Sequence, residues 1–266
     1  ELALVWQHPA GSLSGLPNLK GISSFGAGVD AILSDPDLPQ VPIARIVDPA
    51  LATNMAKFVL TQIQDHKLRL AQFRQQESEA LWKPKSQRPA NRIGILGLGQ
   101  LGAETARLLS LFGFDVTGWS RSEKQLEKVR CLTGQDGLDE LLSNCDYLVC
   151  LLPLTEETNN ILNTKVFSKM PKEAVLINVA RGQHVDDDAL LAALDEGMLD
   201  YAYLDVFCQE PLPATHSFWH HPKIRVTPHI SAVTNVDTAV EQIVANYHRI
   251  KQKTPMLNTI DPERGY

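Results

Sequence analysis

Apolar residues along the 266-residue chain fall into short continuous runs and into repeats near 3.6, the signatures of buried strands and of amphipathic helices. Leu2 to Trp6 reads as a short buried strand ending at His8-Pro9, and Leu19 to Ser24 as a second. Pro36, Pro39 and Pro42 mark a loop. Asp48-Pro49 then predicts a helix start, with Asp as N-cap and Pro at the first helical position. Met55, Phe58, Val59, Leu60 and Ile63 recur at helical spacing, giving a linking helix over 49–75, and Gln64 to Glu79 forms a polar tail. Residues 83–89, rich in Lys, Ser, Gln, Arg and Pro, read as a connector. Ile93 to Leu96 is a β-prone run that enters a glycine turn, and Ala103 to Leu111 reads as a helix.

Beyond that turn, strand-like and helix-like segments alternate: Asp115–Trp119, Leu126–Arg130, Leu138–Leu142, Tyr147–Leu152, Val166–Met170, Val175–Val179, Asp186–Glu196, Tyr201–Phe207 and Ile224–Thr227. Such alternation predicts an α/β fold, a doubly wound parallel sheet of Rossmann type covered on both faces. Val236 to Lys251 closes the chain as an amphipathic helix with Val236, Ala239, Val240, Ile243 and Tyr247 on its apolar side. No fixed-period repeat is present.

The glycine turn carries the sharpest signal. Gly97, Gly99 and Gly102 fall as G-x-G-x-x-G in Gly97-Leu98-Gly99-Gln100-Leu101-Gly102, between a strand and a helix. In a dinucleotide site the first glycine permits the tight turn, the second lets backbone approach a pyrophosphate, and the third lets helix and strand pack closely. The helix start then aims N–H groups and the positive end of its dipole at the phosphates. An ordinary glycine turn would share the spacing; the flanking strand and helix favour the dinucleotide. The NAD form places a carboxylate about 20 residues on, on the ribose. Here the second strand ends Gly118-Trp119-Ser120-Arg121-Ser122, with no carboxylate. A guanidinium between two hydroxyls suits a 2′-phosphate, so the cofactor expected is NADP(H), unless Arg121 is only a solvated charge.

Composition narrows the class further. With 44% hydrophobic and 21% charged residues the chain is an ordinary globular protein, long enough for about two domains. A net charge of −6 argues against a nucleic-acid partner. The apolar run at Tyr147–Leu152 is too short to span a membrane. The cysteines Cys131, Cys145, Cys150 and Cys208 show neither C-x-x-C nor zinc spacing. Unpaired thiols and the lack of a signal peptide point to the cytoplasm. His184 and the pair His220-His221 lack a carboxylate at ligand spacing, so no metal site is expected.

Three polar residues sit just beyond strand carboxyl ends, where doubly wound folds place their chemistry. They are Arg181, Glu210 and His229. Carbonyl reduction by hydride needs a cation for a substrate carboxylate and carbonyl, and an acid for the developing alkoxide. Arg and His supply those roles near neutral pH. Singly, a capping Arg, a solvated Glu or a core His would explain each. Near the start of the chain, Phe25-Gly26-Ala27-Gly28 follows a strand and can present consecutive N–H groups to an anion; a left-handed glycine turn fits the same letters.

Four motifs in order, the glycine turn, Asn178-Val179-Ala180-Arg181-Gly182, Leu204-Asp205-Val206-Phe207 with Glu210-Pro211-Leu212-Pro213, and Thr227-Pro228-His229-Ile230, extend over nearly the whole chain. The series resembles the D-isomer-specific 2-hydroxyacid dehydrogenases, and within them the glyoxylate/hydroxypyruvate reductases of the A type. The resemblance implies a homodimer in which a cofactor domain (49–227, linking helix included) is inserted into a smaller α/β substrate domain (1–48 and 228–266). It implies that Arg181 holds the substrate, His229 donates the proton and Glu210 is its partner. Gly26, Ala27 and Gly28 would offer N–H groups to the substrate carboxylate, Trp6 would line the pocket, and Trp82 would reach a neighbouring subunit's site. Pro153, Asn178 and Asp205 match positions beside the nicotinamide; Gly97, Gly99, Gln100, Leu101, Gly102, Trp119, Ser120, Arg121, Ser122 and Ala180 complete the expected cofactor set.

One departure concerns the start. Such proteins begin with a further strand-helix-strand portion, so the substrate domain is expected to lack its N-terminal part in a chain that opens at Glu1. The activity expected is NADPH-dependent reduction of small 2-oxo acids, glyoxylate and hydroxypyruvate first. Two other readings stay open: a different 2-hydroxyacid, phosphite or formate oxidation, and a non-catalytic nucleotide-sensing, corepressor-like protein. Glu210 speaks against formate, since formate dehydrogenases resembling this family carry Gln there.

Overall fold

The computed structural model describes residues 1–265. The chain forms two compact units: Glu1–Leu51, Pro153–Glu157 and the stretch from Val233 onward make the first, Ala52–Leu152 with Thr158–Ala232 the second.

The first unit opens with β1 (Leu2–Val5), β2 (Gly21–Ser24), a single turn α1 (Asp30–Leu33) and β3 (Ile43–Ala44). The strands form a parallel sheet in the order β1-β2-β3. β1 stops at Val5, so Trp6 lies outside the strand that the apolar run predicts. One face of the sheet buries Ile22 and Ile43 with Leu13, Val29 and Ile32; Ala44 packs instead with Ile250 and Met256.

The helix start read at Asp48-Pro49 is present: Asp48 Oδ1 accepts the Ala50 N–H at 2.8 Å at the head of α2 (Pro49–Lys67). The periodicity predicts one helix over 49–75, yet the chain breaks at Arg69 (φ 59°) and restarts as α3 (Leu70–Ser78). Tertiary bonds account for the break. The returning connector donates its Arg88 N–H to the Lys67 carbonyl (2.8 Å), and Arg69 Nε donates to the Ser86 carbonyl (2.9 Å).

The second unit continues with β4 (Arg92–Leu96), α4 (Gln100–Leu111), β5 (Asp115–Trp119), β6 (Arg130–Leu132), α5 (Gly134–Ser143) and β7 (Tyr147–Cys150). Then come α6 (Thr164–Phe167), β8 (Ala174–Asn178), α7 (Asp187–Asp195), β9 (Leu199–Leu204) and β10 (Ile224–Val226). Seven strands pair in the order β10-β9-β8-β7-β4-β5-β6, every pairing parallel. The order reverses between β4 and β7, the crevice position where such sheets bind ligands. Alternate residues feed opposite cores: Tyr147, Val149, Val175 and Ile177 face one, Leu148, Cys150, Leu176 and Ala202 the other. That is the pattern of a sheet covered on both sides. Of the segment Leu126–Arg130, residues 126–129 make only an isolated bridge, Leu126 with Val129, with Lys128 turned left-handed (φ 60°), and Arg130 begins β6.

The last helix, α8 (Val236–Lys251), belongs to the first unit and contacts β1. Its buried residues are Ala239, Asn246 and Ile250, whereas Val236, Val240 and Tyr247 are exposed. The hydrophobic periodicity found the helix and its buried Ala239, but Val236, Val240 and Tyr247 do not lie on the inward face. Asn246 replaces an apolar residue there because its side chain closes both bonds to the Leu257 backbone, at 2.7 and 3.2 Å.

Burial pushes the Cys145 and Cys150 thiols up to about 12, which leaves them protonated and inert. Among the described residues no helix is long and apolar enough to cross a membrane.

A polar network lies at the amino edge of the large sheet. His66 on α2 hydrogen-bonds Tyr147 Oη through Nδ1 and Asp200 through Nε2, both at 3.0 Å, and Arg88 pairs with Asp200 at 2.8 Å. Burial alone would raise the Asp200 carboxyl, but the His66 bond and the Arg88 charge outweigh it and leave it below the usual carboxylate range. A lowered folded value adds stability above the unfolded value, which is lost as pH falls through the folded one. Asp200→Asn is expected to lower Tm at pH 7 by roughly 2–8 °C, with the gap to wild type closing toward about pH 3. Thermal melts across that range check it; a pH-independent gap would assign the effect to packing instead.

Candidate active site

The carboxyl edge of the large sheet gathers chemistry from neighbouring strands. β4 runs into Gly97, which adopts φ 98° against the Leu151 backbone, where a Cβ would stand 2.6 Å from the Leu151 carbonyl oxygen. At Gly102 a Cβ would come within 1.8 Å of the Gly97 carbonyl oxygen, so helix and turn touch there. Around Gly99 no heavy atom lies within 4 Å of the corresponding point. Tight turn, close packing and open approach fall on the first, third and second glycines in turn, and α4 starts at Gln100 with Leu101 beside it. This surface fits a pyrophosphate.

At the end of β5, Trp119 Nε1 donates to the Gly134 carbonyl at 2.8 Å, seating the indole against the start of α5. Arg121 and Ser122 are exposed. Ser120 is buried, and its hydroxyl donates to the Ser122 carbonyl at 2.7 Å. Its hydroxyl therefore shapes the turn that presents Arg121, a use that the bare sequence does not reveal.

β8 ends at buried Asn178, whose Nδ2 donates to the Arg181 carbonyl (2.8 Å) and whose Oδ1 accepts the Ala180 N–H (3.2 Å). His184, fully buried, accepts the Arg181 N–H on Nδ1 at 3.2 Å, closing the loop from below. Gly182 has no alternative: a Cβ would meet the Phe207 backbone at 1.9 Å. The Arg181 guanidinium is steered by a bond from Nη1 to the Ala180 carbonyl (2.6 Å).

β9 and β10 supply the other pair. Asp205 is buried, and its Oδ1 accepts from Thr227 Oγ1 (2.5 Å) and the Ile230 N–H (3.0 Å), its Oδ2 from the Ser231 N–H (2.8 Å). Its main-chain carbonyl accepts the His229 N–H at 2.8 Å. His229 is thereby held at φ 53°, a conformation costly for a residue with a Cβ. Its Nδ1 donates to Glu210 Oε2 at 2.7 Å, and Glu210 Oε1 accepts the Phe207 N–H at 3.0 Å. With Nδ1 committed, Nε2 is the nitrogen left for chemistry. Both side chains keep about a third of their surface open, 37% and 34%.

Arg181, Glu210 and His229 thus rise from adjacent strands at one edge of one sheet, together with Asn178, Ala180, Asp205 and the glycines. Pro153 falls in the first unit. Trp82 joins none of them and is 97% exposed on the connector. The sequence motifs contain Thr227 without marking its bond to Asp205, and do not include Ser231, since no local spacing links residues so far apart.

In the first unit Trp6 packs on Gly26, where a Cβ would lie 1.9 Å from its ring. Neither Gly26 nor Gly28 has a positive φ, so this is not the left-handed turn that the letters also allowed. Ser24 Oγ accepts the Gly26 N–H (3.1 Å) and donates to the Gly28 carbonyl (3.0 Å). The Gly26 N–H is therefore taken up internally. Among the described residues no group of three or more His, Cys, Asp or Glu could hold a metal ion.

Residues 58–231 match the family model described as D-isomer specific 2-hydroxyacid dehydrogenase, NAD binding domain. The chain belongs to this family. A glyoxylate/hydroxypyruvate reductase A of Yersinia enterocolitica is 39% identical across 100% of the chain and 88% of its own length. A D-isomer specific 2-hydroxyacid dehydrogenase from Xanthobacter autotrophicus Py2, solved with NADPH and MES, is 43% identical with TM-score 0.95 over 100% of this chain and 85% of that one. An NADPH-dependent glyoxylate/hydroxypyruvate reductase from Sinorhizobium meliloti, solved with NADP and sulfate, gives 37% and TM-score 0.95 over 100% and 86%.

Asp205 organises this family member's histidine loop through both oxygens, so Asp205→Ala leaves two backbone N–H groups and a hydroxyl without their acceptor. The expected loss is about 2–4 kcal/mol of stability, together with a fall in kcat, read by denaturant melts and turnover. Unchanged stability would show that Thr227, Ile230 and Ser231 hold the loop without it.

Proposed function

We propose that the protein is an NADPH-dependent reductase of small 2-oxo acids, glyoxylate and hydroxypyruvate foremost, forming the 2-hydroxy acids. The single observation that carries the reading is the Glu210–His229 pair, locked at 2.7 Å on a loop fixed by Asp205, beside the Arg181 turn and on the sheet edge that bears the glycine turn. The names and bound cofactors of the related proteins supply the substrate class and NADP(H).

Gly97, Gly99, Gln100, Leu101 and Gly102 would hold the pyrophosphate, Arg121 the 2′-phosphate, and Asn178, Ala180, Asp205 and Pro153 the nicotinamide end. When bound, NADPH supplies a hydride to the carbonyl carbon. Arg181 holds the substrate and polarises its carbonyl as negative charge grows on the oxygen. His229 delivers the proton from Nε2, and Glu210 keeps the ring oriented through Nδ1. Ala27 and Gly28 offer N–H groups to the carboxylate, with Trp6 beside them. The working form in this reading is a cytoplasmic homodimer in which Trp82 reaches a partner's substrate site. Residues 49–227 serve as cofactor domain and 1–48 with 228–266 as substrate domain.

His229→Ala is expected to lower kcat with glyoxylate by roughly 10²–10⁴-fold; steady-state turnover checks it, and near wild-type kcat would remove the mechanism. Arg121→Ala should cut the NADPH-over-NADH preference in kcat/KM by about tenfold or more, through loss of a charge-assisted phosphate contact. Equal discrimination before and after the change would place the 2′-phosphate elsewhere.

A further inference from the structure

Arg45 directly follows β3. Register pairs Ile22 with Ile43 and Ser23 with Ala44 and ends there, so Arg45 leaves the pairing at the edge where Ser24 closes β2 against Val5. Side chains alternate between the two faces of a strand. Ile43 lies in the core with Ile22, and Ala44 lies on the opposite side with Ile250 and Met256. Arg45 comes next, at the carboxyl edge of the three-stranded sheet.

That edge is the one that carries the glycine turn of the first unit. The Ser24 hydroxyl braces Gly26 and Gly28, and the Gly26 carbonyl accepts the Ile46 N–H at 2.9 Å, tying the turn to the residue after Arg45. Among the described residues the N–H groups of Ala27 and Gly28 donate to no protein acceptor.

Arg45 has no counter-charge. Arg88, likewise partly buried, meets a carboxylate at 2.8 Å, while Arg69 and Arg225 bond carbonyl oxygens at 2.9 and 3.2 Å. Arg45 is half-buried, and its guanidinium makes no hydrogen bond or ion pair among the described residues. Asp48, the nearest acid in sequence, has one oxygen on the Ala50 N–H (2.8 Å) and the other on Thr238 Oγ1 (2.6 Å). Burial pushes the Arg45 pKa down with no partner to offset it. A desolvated cation without a counterion is unfavourable unless an anion meets it.

We propose that Arg45 is a substrate-binding residue, its guanidinium joining the Ala27 and Gly28 N–H groups to receive the carboxylate of a 2-oxo acid. The role rests on the oxo-acid reductase reading above. A planar fork of donors suits a carboxylate and gives nothing comparable to an uncharged ester. Arg45 therefore selects acids over their neutral analogues.

The test compares wild type, Arg45→Gln and Arg45→Lys with glyoxylate and with methyl glyoxylate, at saturating NADPH. Arg45→Gln should raise KM for glyoxylate by about ten- to a hundredfold, with little change in KM for methyl glyoxylate or in KM for NADPH, and kcat should change far less than KM. Arg45→Lys, which keeps the charge and guards against a folding failure in the Gln variant, should restore part of the loss. An unchanged glyoxylate KM, or equal rises for acid and ester, overturns the assignment while leaving the reductase reading intact. A wild-type chain that reduces neither compound overturns that reading and the role of Arg45 with it.

Discussion

The buried Asp205 carboxylate is the constraint on which the candidate site depends. It directly follows β9 and takes three donors from the segment after β10, and the same residue's carbonyl takes the His229 N–H. A side chain at φ 53° would otherwise relax to a commoner backbone conformation. Held there, His229 meets Glu210 at 2.7 Å, and Glu210 is itself tied to the Phe207 N–H. The pair is thus set before any substrate arrives. Preorganisation of this kind moves the cost of orientation from the reaction to folding.

Close backbone approach does the complementary work. Gly97 and Gly102 bring turn and helix together, Gly182 brings the Arg181 loop onto Phe207, and Gly26 seats Trp6. In each case a single methyl group would collide with a neighbour, so the glycines fix distances that polar residues then exploit. Gly99 differs in facing open space, which leaves its backbone accessible. The opposite edge of the large sheet is held by charge instead, through His66, Tyr147, Asp200 and Arg88. Chemistry at one edge and anchorage at the other follow from all strands running the same way.

Much of this was legible in the residues. The parallel α/β sheet follows from apolar runs alternating with helical periods, and the strand-turn-helix around Gly97 follows from glycine spacing. Arg181, Glu210 and His229 could be singled out because parallel strands deliver their carboxyl ends to a single edge. Other features were illegible because they depend on partners far along the chain. The kink at Arg69 answers to Ser86 and Arg88, the inward face of α8 answers to Leu257 and β1, and Ser120 spends its hydroxyl on its own turn. The bracing of the histidine loop by Asp205 is invisible until Thr227, Ile230 and Ser231 are seen around it.

The sequence by itself determined the fold class, the dinucleotide turn and the identity of the chemical groups, because periodicity and short motifs are local properties of a chain. Only the tertiary structure decided which nitrogen of His229 is committed, which hydroxyls brace turns, and that half-buried Arg45 lacks a counter-charge. Those outcomes are set by which residues become neighbours when strands pair and helices pack. Hydrogen-bond direction and burial do not exist until that pairing has taken place.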